Sequence, residues 1–96
     1  MSYNIIRVHI WVTGRVQGVG FRAFVAQSAI FIGVKGWVRN VSLDSVETIA
    51  EGTRTQVDQF IQAVKTGPRS SRVDDCRIEE ETTLTGFDEF EIRSSR

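Results

Sequence analysis

The chain has 96 residues, 41% hydrophobic and 25% charged, with one proline and a formal net charge of zero. Such values fit one folded domain over residues 1–96 and argue against disorder and against wholesale electrostatic binding of nucleic acid. The single cysteine, Cys76, excludes an intrachain disulfide and a cysteine-based metal cluster, and no apolar run reaches the about 18 residues that a membrane-spanning helix needs.

The charges are unevenly placed. Residues 1–43 hold Arg7, Arg15, Arg22, Lys35 and Arg39 but no acid, whereas all twelve acids lie from Asp44 onward. This skew favours an anionic ligand near the first half of the chain. Met1 to Arg7 lack a basic stretch followed by an apolar core, so no export signal is read, and with the lone cysteine this suits a cytoplasmic protein.

Val8, Ile10 and Val12 alternate with His9, Trp11 and Thr13, the period-two pattern of a half-buried strand over about residues 6–13. His9 is the sole histidine, expected on the less buried face, and has no second histidine with which to complete a zinc site. Next comes Gly14-Arg15-Val16-Gln17-Gly18-Val19-Gly20-Phe21-Arg22, a glycine-rich turn from strand into helix. Glycine permits positive φ and leaves amides uncovered, while a helix start adds free N–H groups and the positive end of the dipole. With Arg22 as a fixed cation, these groups would make an anion site, most naturally for phosphate. Glycines at such a turn can equally serve a tight reversal alone. The spacing matches neither the dinucleotide-binding G-x-G-x-x-G nor a nucleotide-hydrolysing loop closed by Gly-Lys-Ser/Thr.

Phe21, Phe24, Val25, Ala29 and Ile32 recur at helical spacing as far as Gly33, which predicts a helix with the phenylalanines in the core. A second strand follows at about Lys35 to Val41, carrying Gly36-Trp37-Val38-Arg39-Asn40, with Trp37 expected to pack. Ser42 to Ser45 make a turn, and Val46 to Glu51 read as a third strand whose alternation is broken by Ile49. Thr53 and Gln56 form a capping-box pattern before Val57, Phe60, Ile61 and Val64, a helical stripe ended by Gly67-Pro68. After a loop at Arg69 to Arg72, Val73 to Glu81 read as a fourth strand with Cys76 and Ile78 on one face. Glu79-Glu80-Glu81 read as its solvated end, and Phe87, Phe90 and Ile92 mark a short fifth strand.

The order is βαββαβ plus a short fifth strand, an α+β ferredoxin-like split βαβ sandwich with two helices on one face of a mostly antiparallel sheet. A right-handed crossover makes the first and second strands parallel, so their carboxyl ends share one sheet edge, where ligands commonly bind. The glycine loop follows one of those ends and Asn40 lies near the other. Arg22 and Asn40 are thereby expected at a common mouth.

The two motifs, in this order and on these strands, resemble the acylphosphatase family, small hydrolases of carboxyl-phosphate mixed anhydrides. Gly14 to Arg22 is similar to the family's loop and Gly36-Trp37-Val38-Arg39-Asn40 to its second motif. Val46-Glu47, Ala50-Glu51-Gly52, Gly67-Pro68 with Val73, and Gly86-Phe87 extend the likeness over nearly the whole chain. The resemblance implies hydrolysis of acyl phosphates to carboxylate and inorganic phosphate. It implies that Arg22 grips the phosphate together with backbone amides of Arg15, Val16, Gln17, Gly18, Val19 and Gly20, and that Asn40 orients the attacking water. A small-molecule acyl phosphate is then the expected substrate and inorganic phosphate the product. No cofactor, metal, nucleic acid or membrane is expected to take part, and the chain is expected to act as a monomer. It departs from the family at the turn after Asn40, where Leu43-Asp44 stand in place of the common Asp-Gly, which bears on pocket shape.

Two rivals share the topology. A non-catalytic phosphate- or ligand-binding module is the alternative, since an acylphosphatase-like domain occurs inside a maturation factor for hydrogenases; the absence of zinc-finger cysteines or a further domain after Arg96 favours a free-standing enzyme. An RNA-binding module would carry aromatics on the third strand in a K/R-G-F/Y-G/A-F-V register. Val19-Gly20-Phe21-Arg22-Ala23-Phe24 fails that register and lies at a helix start.

Overall fold

Two periodicities in the sequence, one of strands and one of helices, resolve into seven elements in a computed structural model that describes residues 4–95. In chain order these are β1 (Ile5–Arg15), α1 (Phe21–Ile32), β2 (Lys35–Val41), β3 (Ser45–Thr53), α2 (Arg54–Thr66), β4 (Arg72–Glu81) and β5 (Phe90–Ile92). Met1 to Tyr3, part of the segment read as free of an export signal, and Arg96, the end of the domain read over residues 1–96, lie outside the described residues.

The strands form one sheet in the order β4-β1-β3-β2-β5. Every neighbouring pair is antiparallel except β2 with β5, so the sheet is mixed. Because β3 runs against both β1 and β2, those two run the same way, and α1 crosses one face between them. Both helices lie on that face, α1 over β2 and β5, α2 over β1 and β3. The expected α+β sandwich is therefore the fold.

The buried stripes meet between the layers. Val8, Ile10 and Val12 of β1 stand opposite Ala50, Thr48 and Val46 of β3, and all six point toward Val25 and Ala29 of α1 and Val57, Phe60 and Val64 of α2. The α2 start carries the full capping box: Thr53 Oγ1 accepts from Gln56 N at 3.2 Å and Gln56 Oε1 accepts from Thr53 N at 3.0 Å. The α1 start has no such side chain. Its N-cap is Gly20, left-handed at φ 76, with no acid in the first turn.

The strands depart from the sequence reading in several places. β1 runs on to Arg15, because β4 continues to pair with Gly14 and Arg15 across a register shift after Thr13, so the loop proper begins at Val16. β3 is buried on both faces although only one carries helices. Its Glu47, Ile49 and Glu51 point away from the helices, beside Arg7, His9 and Trp11 of β1 and Trp37 and Arg39 of β2. These long side chains lie flat and cover one another. The His9 and Trp11 rings stack 3.7 Å apart, Arg77 sits 4.8 Å over Trp11, and Arg39 and Arg93 sit 4.7 and 5.0 Å from the Trp37 ring. Trp37 packs, as expected, and two arginines shield it.

The acidic end of β4 is solvated, as expected, and its carboxylates also form ion pairs at the surface. Arg54 grips Glu80 through two nitrogens at 2.7 and 3.0 Å, and Arg77 pairs with Glu79. Arg7 Nε lies 2.7 Å from Glu81 Oε1 at an angle that leaves it without a hydrogen bond, so that contact is ionic only. Phe87, read into the fifth strand, lies before it, with the Arg7 guanidinium 5.9 Å from its ring.

Glu51 fastens this region. Its carboxylate, 5% exposed, accepts from Thr85 N at 2.7 Å, Gly86 N at 2.9 Å and Arg7 Nη1 at 3.3 Å, holding the β4–β5 connection against the sheet. Glu51→Ala leaves two amides and a guanidinium without their acceptor. It is expected to destabilise the fold by about 2–4 kcal/mol in urea unfolding, with the Thr85 and Gly86 amides exchanging freely while phosphate affinity is kept. A loss below about 0.5 kcal/mol would show that water replaces the carboxylate without cost.

Candidate active site

Where the parallel strands β1 and β2 end, a cleft of about 240 Å³ opens beside the start of α1. It is lined by Val16, Gln17, Gly18, Gly20, Phe21, Arg22, Ala23, Asn40 and Ile92. The volume is below the roughly 300–1,000 Å³ of sites for drug-sized ligands, so a small ligand fits the scale.

The loop is anchored by its side chains and exposes its backbone. Val16 and Phe21 are each 1% exposed and belong to the core, which pins both ends of the loop. Gly18 at φ 71 and Gly20 at φ 76 take the left-handed turn that any side chain would strain, and a Cβ at either would meet nothing within 4 Å. The backbone at both glycines is therefore uncovered on the side where a side chain would stand. No hydrogen bond between elements is donated by an amide from Gln17 to Ala23 among the described residues, while Phe24 N, the first satisfied one, reaches Gly20 O at 3.0 Å. A row of free N–H groups at the positive end of a helix is a binding surface for an anion.

Arg22 stands in the first turn of that helix. Folding pairs Arg7 with Glu51 and Glu81 and Arg39 with Glu47, yet among the described residues no carboxylate lies within 4 Å of Arg22. Its hydrogen bond from Nη1 to the Arg93 carbonyl is long, 3.4 Å, and leaves the rest of the fork free. Asn40 reaches the cleft from the end of β2. Sequence reasoning expected Arg22 and Asn40 at one mouth, and both line it. Val16, Gln17, Gly18 and Gly20 line it too, whereas Arg15 and Val19 do not. Arg15 ends β1 and lines a separate, open hollow with Thr13, Gly14, Asp44, Arg72 and Asp74; Val19 turns its carbonyl to Ser70 Oγ at 3.1 Å. Ala23 and Ile92 were not anticipated. Ile92 comes from β5, whose parallel pairing with β2 places it opposite Val38, and no local pattern announces that pairing.

The turn after Asn40 spans residues 42–44. Its left-handed residue is Ser42, at φ 57, and Leu43 is 91% exposed at the tip. The Asp44 carbonyl accepts from Gly14 N at 3.1 Å, which ties the turn back to β1.

A match to the acylphosphatase family model spans residues 8–92. The chain belongs to the acylphosphatase family. The acylphosphatase of Syntrophotalea carbinolica is 47% identical over 88 residues, covering 92% of this chain and 96% of that one. The crystal structure of the Bacillus subtilis acylphosphatase superposes with a TM-score of 0.89 at 41% identity, over 92% of this chain and 98% of that one. A full-length HypF solved in a phosphate- and nucleotide-bound form matches 99% of this chain with 13% of its own length, at 31% identity and a TM-score of 0.90. As an acylphosphatase, the chain is an enzyme that hydrolyses acyl phosphates, with a small-molecule acyl phosphate as substrate and phosphate as product.

Behind Asn40, on the far face of the sheet, Arg39 and His9 hold Glu47 between them, with contacts of 2.7 Å from Arg39 Nη2 and 2.6 Å from His9 Nε2. Burial pushes the Glu47 carboxyl up, but the hydrogen bonds from His9 and Arg39 and the Arg39 charge outweigh it and hold it below the usual carboxylate range. An unfolded glutamate titrates near about 4.3. The stabilisation is therefore complete above that pH and is lost as acid carries the pH down through the lower folded value. Resistance to urea should fall as the pH drops below about 5, and fall less steeply in Glu47→Gln. An identical slope in the two proteins would place the acid sensitivity elsewhere.

Proposed function

We propose that Arg22 and the loop from Arg15 to Gly20, whose amides are free from Gln17 onward, hold the phosphoryl group of the acyl phosphate while Asn40 positions the attacking water. One observation carries this reading: an arginine with no carboxylate within 4 Å among the described residues, an uncapped helix start and an asparagine side chain line the same small cleft. A transferring phosphoryl group spreads charge over its equatorial oxygens in a loose transition state, so cationic and N–H stabilisation with correct placement supplies most of the catalysis. The leaving carboxylate is a weak base that needs little protonation, in keeping with a cleft whose lining includes no acid. Asn40 donates to or accepts from a water but cannot take its proton. An oxygen of the substrate's own phosphate is the acceptor left at hand.

The enzyme works as a monomer, since the residues proposed for the chemistry all come from one chain. It works in the cytoplasm, a compartment that keeps the half-buried Cys76 thiol reduced. Among the described residues no helix is long and apolar enough to cross a membrane.

Hydrolysis of benzoyl phosphate, without added metal, separates the two roles. Arg22→Ala is expected to lose about 2–4 kcal/mol of transition-state stabilisation, roughly 30- to 1,000-fold in kcat/KM, and to weaken inhibition by inorganic phosphate. Asn40→Ala is expected to lose kcat while phosphate still binds. Full activity in either variant would overturn that residue's assignment.

A further inference from the structure

Gln17 contributes more than a backbone amide to the loop. Its side-chain nitrogen lies 2.9 Å from the Ser45 carbonyl oxygen, 3.0 Å from that of Ser42 and 3.3 Å from that of Val41. Three acceptors converge on a group with two protons, so one proton is shared. Only the NH2 side of the amide suits this place, because its oxygen would face three carbonyls. All three carbonyls belong to the β2–β3 hairpin, which begins directly after Asn40.

The sheet alone links these parts indirectly. β1, which leads into the loop, and β2, which carries Asn40, are not neighbours, since β3 lies between them. The hairpin is also the segment that holds the strained Ser42 and an exposed Leu43. Gln17 spans the gap directly, from the loop whose amides line the cleft to the strand end that carries Asn40.

We infer that Gln17 is a positioning residue: its side chain straps the phosphate loop to the hairpin and so sets Asn40 against the bound phosphoryl group. The inference rests on the water-positioning role of Asn40. A displacement of about 1 Å at a reacting group can cost on the order of 100-fold in rate. Loss of the strap therefore acts on turnover, while the backbone amide of residue 17 stays to bind phosphate.

Gln17→Met keeps the length of the side chain and removes both donors. The test measures kcat on benzoyl phosphate and Kd for inorganic phosphate in the natural chain, Gln17→Met, Asn40→Ala and the double variant, with thermal midpoints alongside. The expected result is a roughly 10- to 100-fold fall in kcat for Gln17→Met with phosphate Kd changed less than about 3-fold. In the Asn40→Ala background the same substitution should change kcat less than about 2-fold, although its effect on the midpoint persists. A merely structural role would lower the midpoint and leave no such coupling. Equal falls in kcat in both backgrounds, or none in either, overturn the strap while Asn40 keeps its role. Full kcat in Asn40→Ala overturns the water assignment and the strap with it. Should the methionine variant not fold, Gln17→Asn, which keeps the donor but shortens its reach, is read by the same coupling.

Discussion

Strand β3 is the constraint on which the rest depends. It hydrogen-bonds β1 on one side and β2 on the other, antiparallel to both, and this alone obliges those two strands to end at the same edge. The chain must then cross from one to the other over the sheet, which it does through α1. The crossover begins where the site is needed, so one packing requirement delivers a helix start, a loop and the end of a second strand to a common cleft. The core residues Val16 and Phe21 fix the loop from below, and its glycines leave the upper surface bare. The placement of the candidate site follows from fold-level geometry more than from any local motif.

Charge is sorted by the same packing. The face of β3 turned away from the helices carries Glu47 and Glu51, and the arginines of the acid-free first half fold onto them. Arg22 is held on the other side of the sheet, at the start of a helix that has no acid in its first turn. A cation without a carboxylate partner among the described residues, beside amides without acceptors there, is a costly arrangement alone and a favourable one once an anion arrives. The far face thus helps the near one by drawing the acids away from it.

Much of this could be read from residues alone. Alternation in β1, the stripe and capping box of α2 and the glycine at the end of α1 are local signals with local causes, and they lie where the sequence places them. Arg22 and Asn40 were legible because two motifs and one topological rule suffice to bring them together. The parts that escaped depend on partners distant in the chain. Gly14 and Arg15 look like loop until β4 pairs with them, and Glu47 and Glu51 look solvent-facing until arginines and aromatics from other strands cover them. Ile92 joins the cleft only through a parallel pairing, and the Gln17 side chain finds its acceptors only when the hairpin is in place. The left-handed residue of the β2–β3 turn is Ser42, and the Asp44 carbonyl accepts from Gly14 N, a pairing across the chain that no local pattern announces.

Whether Arg22 and the loop amides hold an anion is tested most directly by titrating inorganic phosphate into the isotopically labelled chain and following amide and guanidinium NMR. The expected result is saturable shifts with a single Kd at the amides of Gln17 to Ala23 and at the Arg22 side chain, all lost in Arg22→Ala. Shifts confined to Arg15 and Arg72 in the neighbouring hollow, or the same shifts at the loop with Arg22 removed, would contradict it.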